Sequence, residues 1–206
     1  MDPRADRRRP IDPDLYLVVD GDADYTFWRN HLAKHFPRAR NAVDNLKGKD
    51  PAEEFNRIVH FAERADYAHV VFLTDEDASP DPAIRVRRLR AKLDELRRMD
   101  RKIANRVRVF GVRRGLECWF LADEKAVREA FPRSRYRCKA RTDSLTDPKS
   151  LVRQMYEKAY GSNYAWSEVG FACKMACKIE FIRASKWSSS LYAFWREMGK
   201  PFANWR

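Results

Sequence analysis

The chain has 206 residues, 44% hydrophobic and 35% charged, with a formal net charge of +12. That length fits one domain or one core with an appended lobe, and the apolar content excludes a disordered chain. The basic balance points to a polyanionic partner, nucleic acid first, while the lack of any apolar run near the roughly 20 residues that span a bilayer argues against a membrane protein.

In chain order, residues 1–13 read as a mobile basic tail. Its start is charged and precedes no apolar stretch of signal-peptide length, so the expected setting is cytoplasmic. Leu15–Val19 is a continuous apolar run, as in a buried parallel strand. Tyr25, Trp28, Leu32 and Phe36 then recur at helical spacing and predict a helix over 23–36. A weaker strand is expected over 41–46. Asp50-Pro51-Ala52-Glu53 marks a helix start, with Asp as cap and Pro at the first helical position. His69–Thr74 is the next buried strand. A long helix over 83–104 follows, with Val86, Leu89, Leu93, Leu96, Met99 and Ile103 as its inward stripe. Val107–Val112 is another strand, followed by the apolar stretch Leu116–Ala122 and a helix that Asp123 caps.

Strand and helix patterns alternate to about residue 131, which argues for an α/β core with a mostly parallel sheet flanked by helices over 14–131. Beyond it the chain turns helical, over about 147–160, 167–184 and 188–199. Residues 132–206 are expected to form a helical extension packed on the core.

In an open parallel sheet, ligands collect beyond the carboxyl ends of the strands. Asp20 and Asp24 follow the first strand, and Asp75 and Asp77 follow His69–Thr74. Carboxylates gathered in space repel unless a cation neutralises them, and hard divalent cations take one or two carboxylates plus phosphate oxygens. Asp20, Asp75 and Asp77 are therefore the candidate metal ligands for Mg²⁺ or Mn²⁺. Asp20, Asp24 and Glu117 are the candidate catalytic carboxylates; the bland alternative for Asp24 and Glu117 is a helix-start acid. Arg87, Arg88, Arg90, Arg97, Arg98 and Arg101 are the candidate nucleic-acid contacts. Lys174 and Lys178 share a helix face that is either solvated or a phosphate contact. His31, His35 and His69 read as ordinary structural residues. Cys118, Cys138, Cys173 and Cys177 lack zinc-ribbon spacing and are expected as buried small hydrophobes.

These residues resemble a known family. Val18-Val19-Asp20-Gly21-Asp22-Ala23-Asp24 and Leu73-Thr74-Asp75-Glu76-Asp77 look like the two acidic motifs of the Toprim fold. Gly115-Leu116-Glu117-Cys118-Trp119-Phe120-Leu121-Ala122-Asp123 is similar to an element of the small bacterial RloB-like Toprim group, and Lys186–Phe194 to that group's ending. More distantly the likeness extends to the OLD nucleases. The resemblance implies metal-dependent phosphodiester cleavage of DNA or RNA, in antiviral defence, beside an ABC-type ATPase partner. The family's first acid is normally Glu; here it is Asp20, one methylene shorter. A non-catalytic subunit docking on an ATPase or nucleoprotein complex, or a plain RNA-binding module, are the alternatives.

Overall fold

Four short runs become four parallel strands. A computed structural model describes residues 14–76, 81, 83–161 and 166–198. In chain order these form β1 (Leu15–Val19), α1 (Asp22–His35), β2 (Asn41–Asn45), α2 (Pro51–Arg64), β3 (His69–Asp75), α3 (Ile84–Met99), α4 (Arg101–Ala104) and β4 (Val107–Val112). There follow α5 (Leu116–Leu121), α6 (Glu124–Ala130), a 3₁₀ turn at Thr142–Ser144, α7 (Pro148–Tyr160), α8 (Glu168–Ala176), α9 (Phe181–Ala184) and α10 (Ser189–Met198). The sheet order is β2-β1-β3-β4, and every pairing is parallel. The class is α/β, and the carboxyl ends of all four strands lie on one edge.

Alternate residues of each strand serve opposite faces. Leu15, Leu17, Val19, Val71 and Leu73 pack with Phe27 and Trp28 of α1, Trp119 of α5, Phe171 of α8, Phe181 of α9 and Phe194 of α10. Tyr16, Val18, Val70 and Phe72 pack with Phe55 and Ile58 of α2 and Leu89 and Leu93 of α3. One face is thus closed by contiguous chain, the other largely by the C-terminal helices. Among the described residues no helix is long and apolar enough to cross a membrane.

Four expectations are corrected. The helix expected over 83–104 is broken at Asp100, whose extended backbone ends α3 and whose side chain accepts from the Lys102 and Ile103 N–H groups at 2.8 and 3.0 Å to restart the chain as α4. Met99, assigned to its inward stripe, is 79% exposed at the last position of α3. The helix expected over 167–184 splits between α8 and α9, where the Glu180 N–H is drawn to Asp123 Oδ2 at 2.9 Å. Cys173 of α8 and Cys177 just after it, expected inside, are both exposed, Cys173 Sγ accepting from Asn30 Nδ2 of α1 at 3.6 Å, whereas Cys118 is buried.

Two buried aspartates tie the C-terminal helices down. Asp123 caps α6 through the Ala126 N–H at 3.1 Å and accepts two bonds from Arg183, at 2.6 and 2.7 Å. Asp143 accepts from the Ser188 and Ser190 hydroxyls at 2.8 and 3.0 Å and from the Ser189 and Ser190 N–H groups. The serine run at the head of α10 is therefore a capping device.

Candidate acidic site at the strand ends

The β1 run ends in Asp20, whose backbone turns through Gly21 into α1. The Asp20 carboxylate sits almost wholly buried. Its Oδ2 accepts from the Thr74 hydroxyl at 2.7 Å, the Asp75 N–H at 3.1 Å and Arg85 Nη1 at 3.3 Å. Asp20 and Asp75 therefore meet at one edge, as adjacent parallel strands require. Asp20 Oδ1 is buried with no hydrogen-bond partner among the described residues. Burial pushes the Asp20 carboxyl above its ordinary value, partly offset by Thr74, the Asp75 N–H and Arg85. Asp77 lies outside the described residues.

Two more carboxylates face this edge. Glu117, in the first turn of α5, is buried. A Cβ placed on Gly115 would lie 2.6 Å from Glu117 Oε2 and 3.6 Å from Asp75 Oδ2, so those two oxygens flank one small space that only glycine leaves open. Asp24, in the first turn of α1, is pushed up to about 7 by burial first, then by the charges of Glu117 and Asp20, with Lys149 pulling the other way. Four acids from three separated segments thus share one edge: Asp20, Asp24, Asp75 and Glu117.

This donor set is of the hard, all-oxygen type that Mg²⁺ or Mn²⁺ takes. The orphaned Asp20 oxygen and the mutual repulsion of Asp24, Glu117 and Asp20 are what a cation would relieve. As they stand, no three His, Cys, Asp or Glu side chains among the described residues converge tightly enough to hold an ion. The residues fit such an ion in donor chemistry alone.

Lys149, near the start of α7, and Arg85, in the first turn of α3, are site residues that sequence reasoning missed. Lys149 acts on Asp24 across a sequence gap that no local pattern bridges. Arg85 was legible only as one of many helix cations.

The candidate nucleic-acid arginines fare unequally. Arg87 is held by Asp81, Arg88 by Asp50 and Glu53, and Arg97 by Asp94. Arg98 donates to the Asp94 carbonyl at 3.3 Å. Arg90 and Arg101 are exposed and carry no ion pair among the described residues. Lys174 bonds the Tyr160 hydroxyl and lies 3.8 Å from that ring's centroid. Lys178 follows α8, beside the C-terminal turn of α1 where Lys34 bonds the Cys177 carbonyl. That is the opposite end of α1 from Asp24.

His31 is buried between the rings of Phe27 and Phe181 and donates through Nδ1 to the Ala176 carbonyl at 2.9 Å. Burial first, and then His35, lower its pKa to about 3, so it is a neutral core residue.

Asp24 gives a pH prediction. Its folded value lies above the ~3.9 of an unfolded aspartate. Its contribution to stability is therefore fully present below about pH 4 and is lost as pH rises through about 7. In metal-free buffer, Asp24→Asn should gain roughly 5–10 °C in Tm over wild type on going from pH 5 to pH 8. Parallel melting curves would mean that Asp24 is not confined beside Glu117.

No protein-family model, curated protein or solved structure matches the chain.

Proposed function

We propose that the chain is a Toprim-like, metal-dependent nuclease that hydrolyses phosphodiester bonds of DNA or RNA. The supporting observation is the gathering of Asp20, Asp24, Asp75 and Glu117 at the strand-end edge of a chain carrying a net charge of +12. Asp20, through its unpartnered Oδ1, with Asp75 and Glu117 would hold Mg²⁺ or Mn²⁺, with Asp77 completing the family pattern. The bound ion supplies Lewis acidity toward a phosphate oxygen and a more acidic water. The chain's own residues supply the rest. Asp24, at about 7, is suited to accept and return a proton at neutral pH. Arg85 and Lys149 bring positive charge to the edge where a phosphate would sit. From the resemblance we further infer a cytoplasmic role in antiviral defence with an ABC-type ATPase.

One observation favours the second reading, a non-catalytic docking subunit. Asp20 is shorter than the family's Glu, and its Oδ2 is already taken by Thr74, Asp75 and Arg85. The two readings separate on one experiment. The purified chain is incubated with single- and double-stranded DNA and with RNA, in Mg²⁺ or EDTA, with and without the ATPase. A nuclease cuts in Mg²⁺ and stops in EDTA. Binding to the ATPase with no cleavage in any mixture would establish the docking subunit instead.

A further inference from the structure

Four non-glycine residues among those described have positive φ: Lys47 (51°), Asp66 (53°), Arg114 (58°) and Arg135 (50°). Asp is a residue that tolerates this region; Lys and Arg gain nothing from it locally. Two of the three cations have the same setting. Lys47 precedes Gly48 (79°) just beyond β2, and Arg114 precedes Gly115 (78°) just beyond β4. Each is an exposed cation on a left-handed turn at the carboxyl edge of the sheet. Neither carries an ion pair among the described residues, unlike Arg87, Arg88 and Arg97 of α3.

The sheet order places the acidic strands β1 and β3 in the centre and these two turns on the flanks. Both turns are tied to the acids. The Gly48 N–H donates to the Asp20 carbonyl at 3.0 Å, and Asn45 Nδ2 donates to Asp22 Oδ1 at 2.6 Å. On the other flank, Gly115 is the residue that Glu117 and Asp75 crowd. Three strand spacings separate the flanks, about 14 Å, a span of about four steps at the 3.4 Å rise of a strand in a duplex and of fewer for an extended single strand. Positive charge at two points with an acidic centre between them complements a polyanion that crosses the edge and meets a cation there. An acidic protein would find its own carboxylates opposed by the centre.

We propose that Lys47 and Arg114 form a two-point clamp that holds the phosphodiester backbone of a nucleic-acid strand across the carboxylate edge. The inference rests on the nuclease reading for its choice of polyanion. It moves the binding surface from the α3 arginines to the rim of the sheet.

Asn removes the charge and is well suited to positive φ, so Lys47→Asn and Arg114→Asn should leave the fold intact, with Tm unchanged or raised. Arg90→Gln with Arg101→Gln removes the same charge elsewhere. Binding of a labelled 20-nucleotide single-stranded DNA, and of an RNA of the same sequence, is followed by anisotropy over a monovalent-salt series at a fixed low concentration of Ca²⁺, a hard cation that the oxygen donors of the centre accept. For at least one strand, the Lys47→Asn/Arg114→Asn double variant should flatten the slope of log K against log salt by about 1.4, or about 0.7 per lost contact. It should weaken binding roughly 25-fold at 0.1 M salt, the amount that two such contacts contribute relative to 1 M. The Arg90→Gln/Arg101→Gln pair, on α3 and α4, should change neither. An unchanged slope in the clamp variant, an equal loss in the Arg90/Arg101 pair, or no binding of either strand by wild type would overturn the clamp. Cleavage in Mg²⁺ is scored separately. Wild-type cutting with no dependence of binding on the clamp sinks only the clamp, while clamp-dependent binding without cutting sinks only the nuclease.

Discussion

Replacing Asp123 with Ala is expected to destabilise the protein by about 3–5 kcal/mol, the range for removing one partner of a buried ion pair. The carboxylate has no exposure, and it accepts from Arg183 twice, from Ala126 and from Glu180. Alanine removes the α6 cap, strands the Glu180 N–H and leaves the mostly buried Arg183 side chain with only Glu180 as its acid. For a chain of this size the loss corresponds to a fall in Tm of about 10 °C. Because Asp123 joins α6 to the α8–α9 junction, the loss should appear in global thermal unfolding rather than as fraying of one helix. A Tm within about 2 °C of wild type would refute the assignment.

The largest effect on activity is expected at Asp75 and Glu117. If the strand-end carboxylates are the reactive centre, Asp75→Ala and Glu117→Gln should each lower Mg²⁺-dependent cleavage by about 10²–10⁴-fold. The double variant should lose less than the product of the two single losses, since both act on one phosphate. Asp75 and Glu117 converge beside Gly115, so Gly115→Ala should also lower cleavage. Its Cβ would push on Glu117 Oε2 while adopting a φ of +78° that alanine resists. Far-UV circular dichroism and Tm establish that the three variants fold. Full cleavage by folded Asp75→Ala would exclude the acidic edge as the active site.

What could be read from the sequence follows from how local the cause was. β1 and β3 are continuous apolar runs because a parallel strand is buried on both faces, and that pattern is local. The start of α2 was legible because Asp50 and Pro51 are adjacent, and Asp50 does accept from the Ala52 N–H at 2.8 Å. That Asp20 and Asp75 share an edge followed from topology alone, since both follow parallel strands. The break at Asp100 was missed because a cap in the middle of a periodic stretch competes with an apolar stripe that runs past it. The partner of Arg88 was invisible because Asp50 is 38 residues away, whereas Asp94, which holds Arg97, sits three residues before it and was within local reach. Lys149 reaches Asp24 from a segment whose placement depends on packing of the C-terminal helices, and no spacing rule carries that.

The two faces of the sheet also differ in when they can form. The face covered by α2 and α3 uses chain only as far as Val107. The other needs Phe171, Phe181, Phe194 and Met198. At a synthesis rate of about 5–20 residues per second, roughly 90 further residues take about 5–20 s to emerge. During that interval the ribosome-bound chain presents Trp28, Trp119 and the inner residues of β1 and β3 without their cover. Premature termination before α10 would therefore leave an adhesive half-clad sheet, a substrate for chaperones and proteases rather than a smaller working protein.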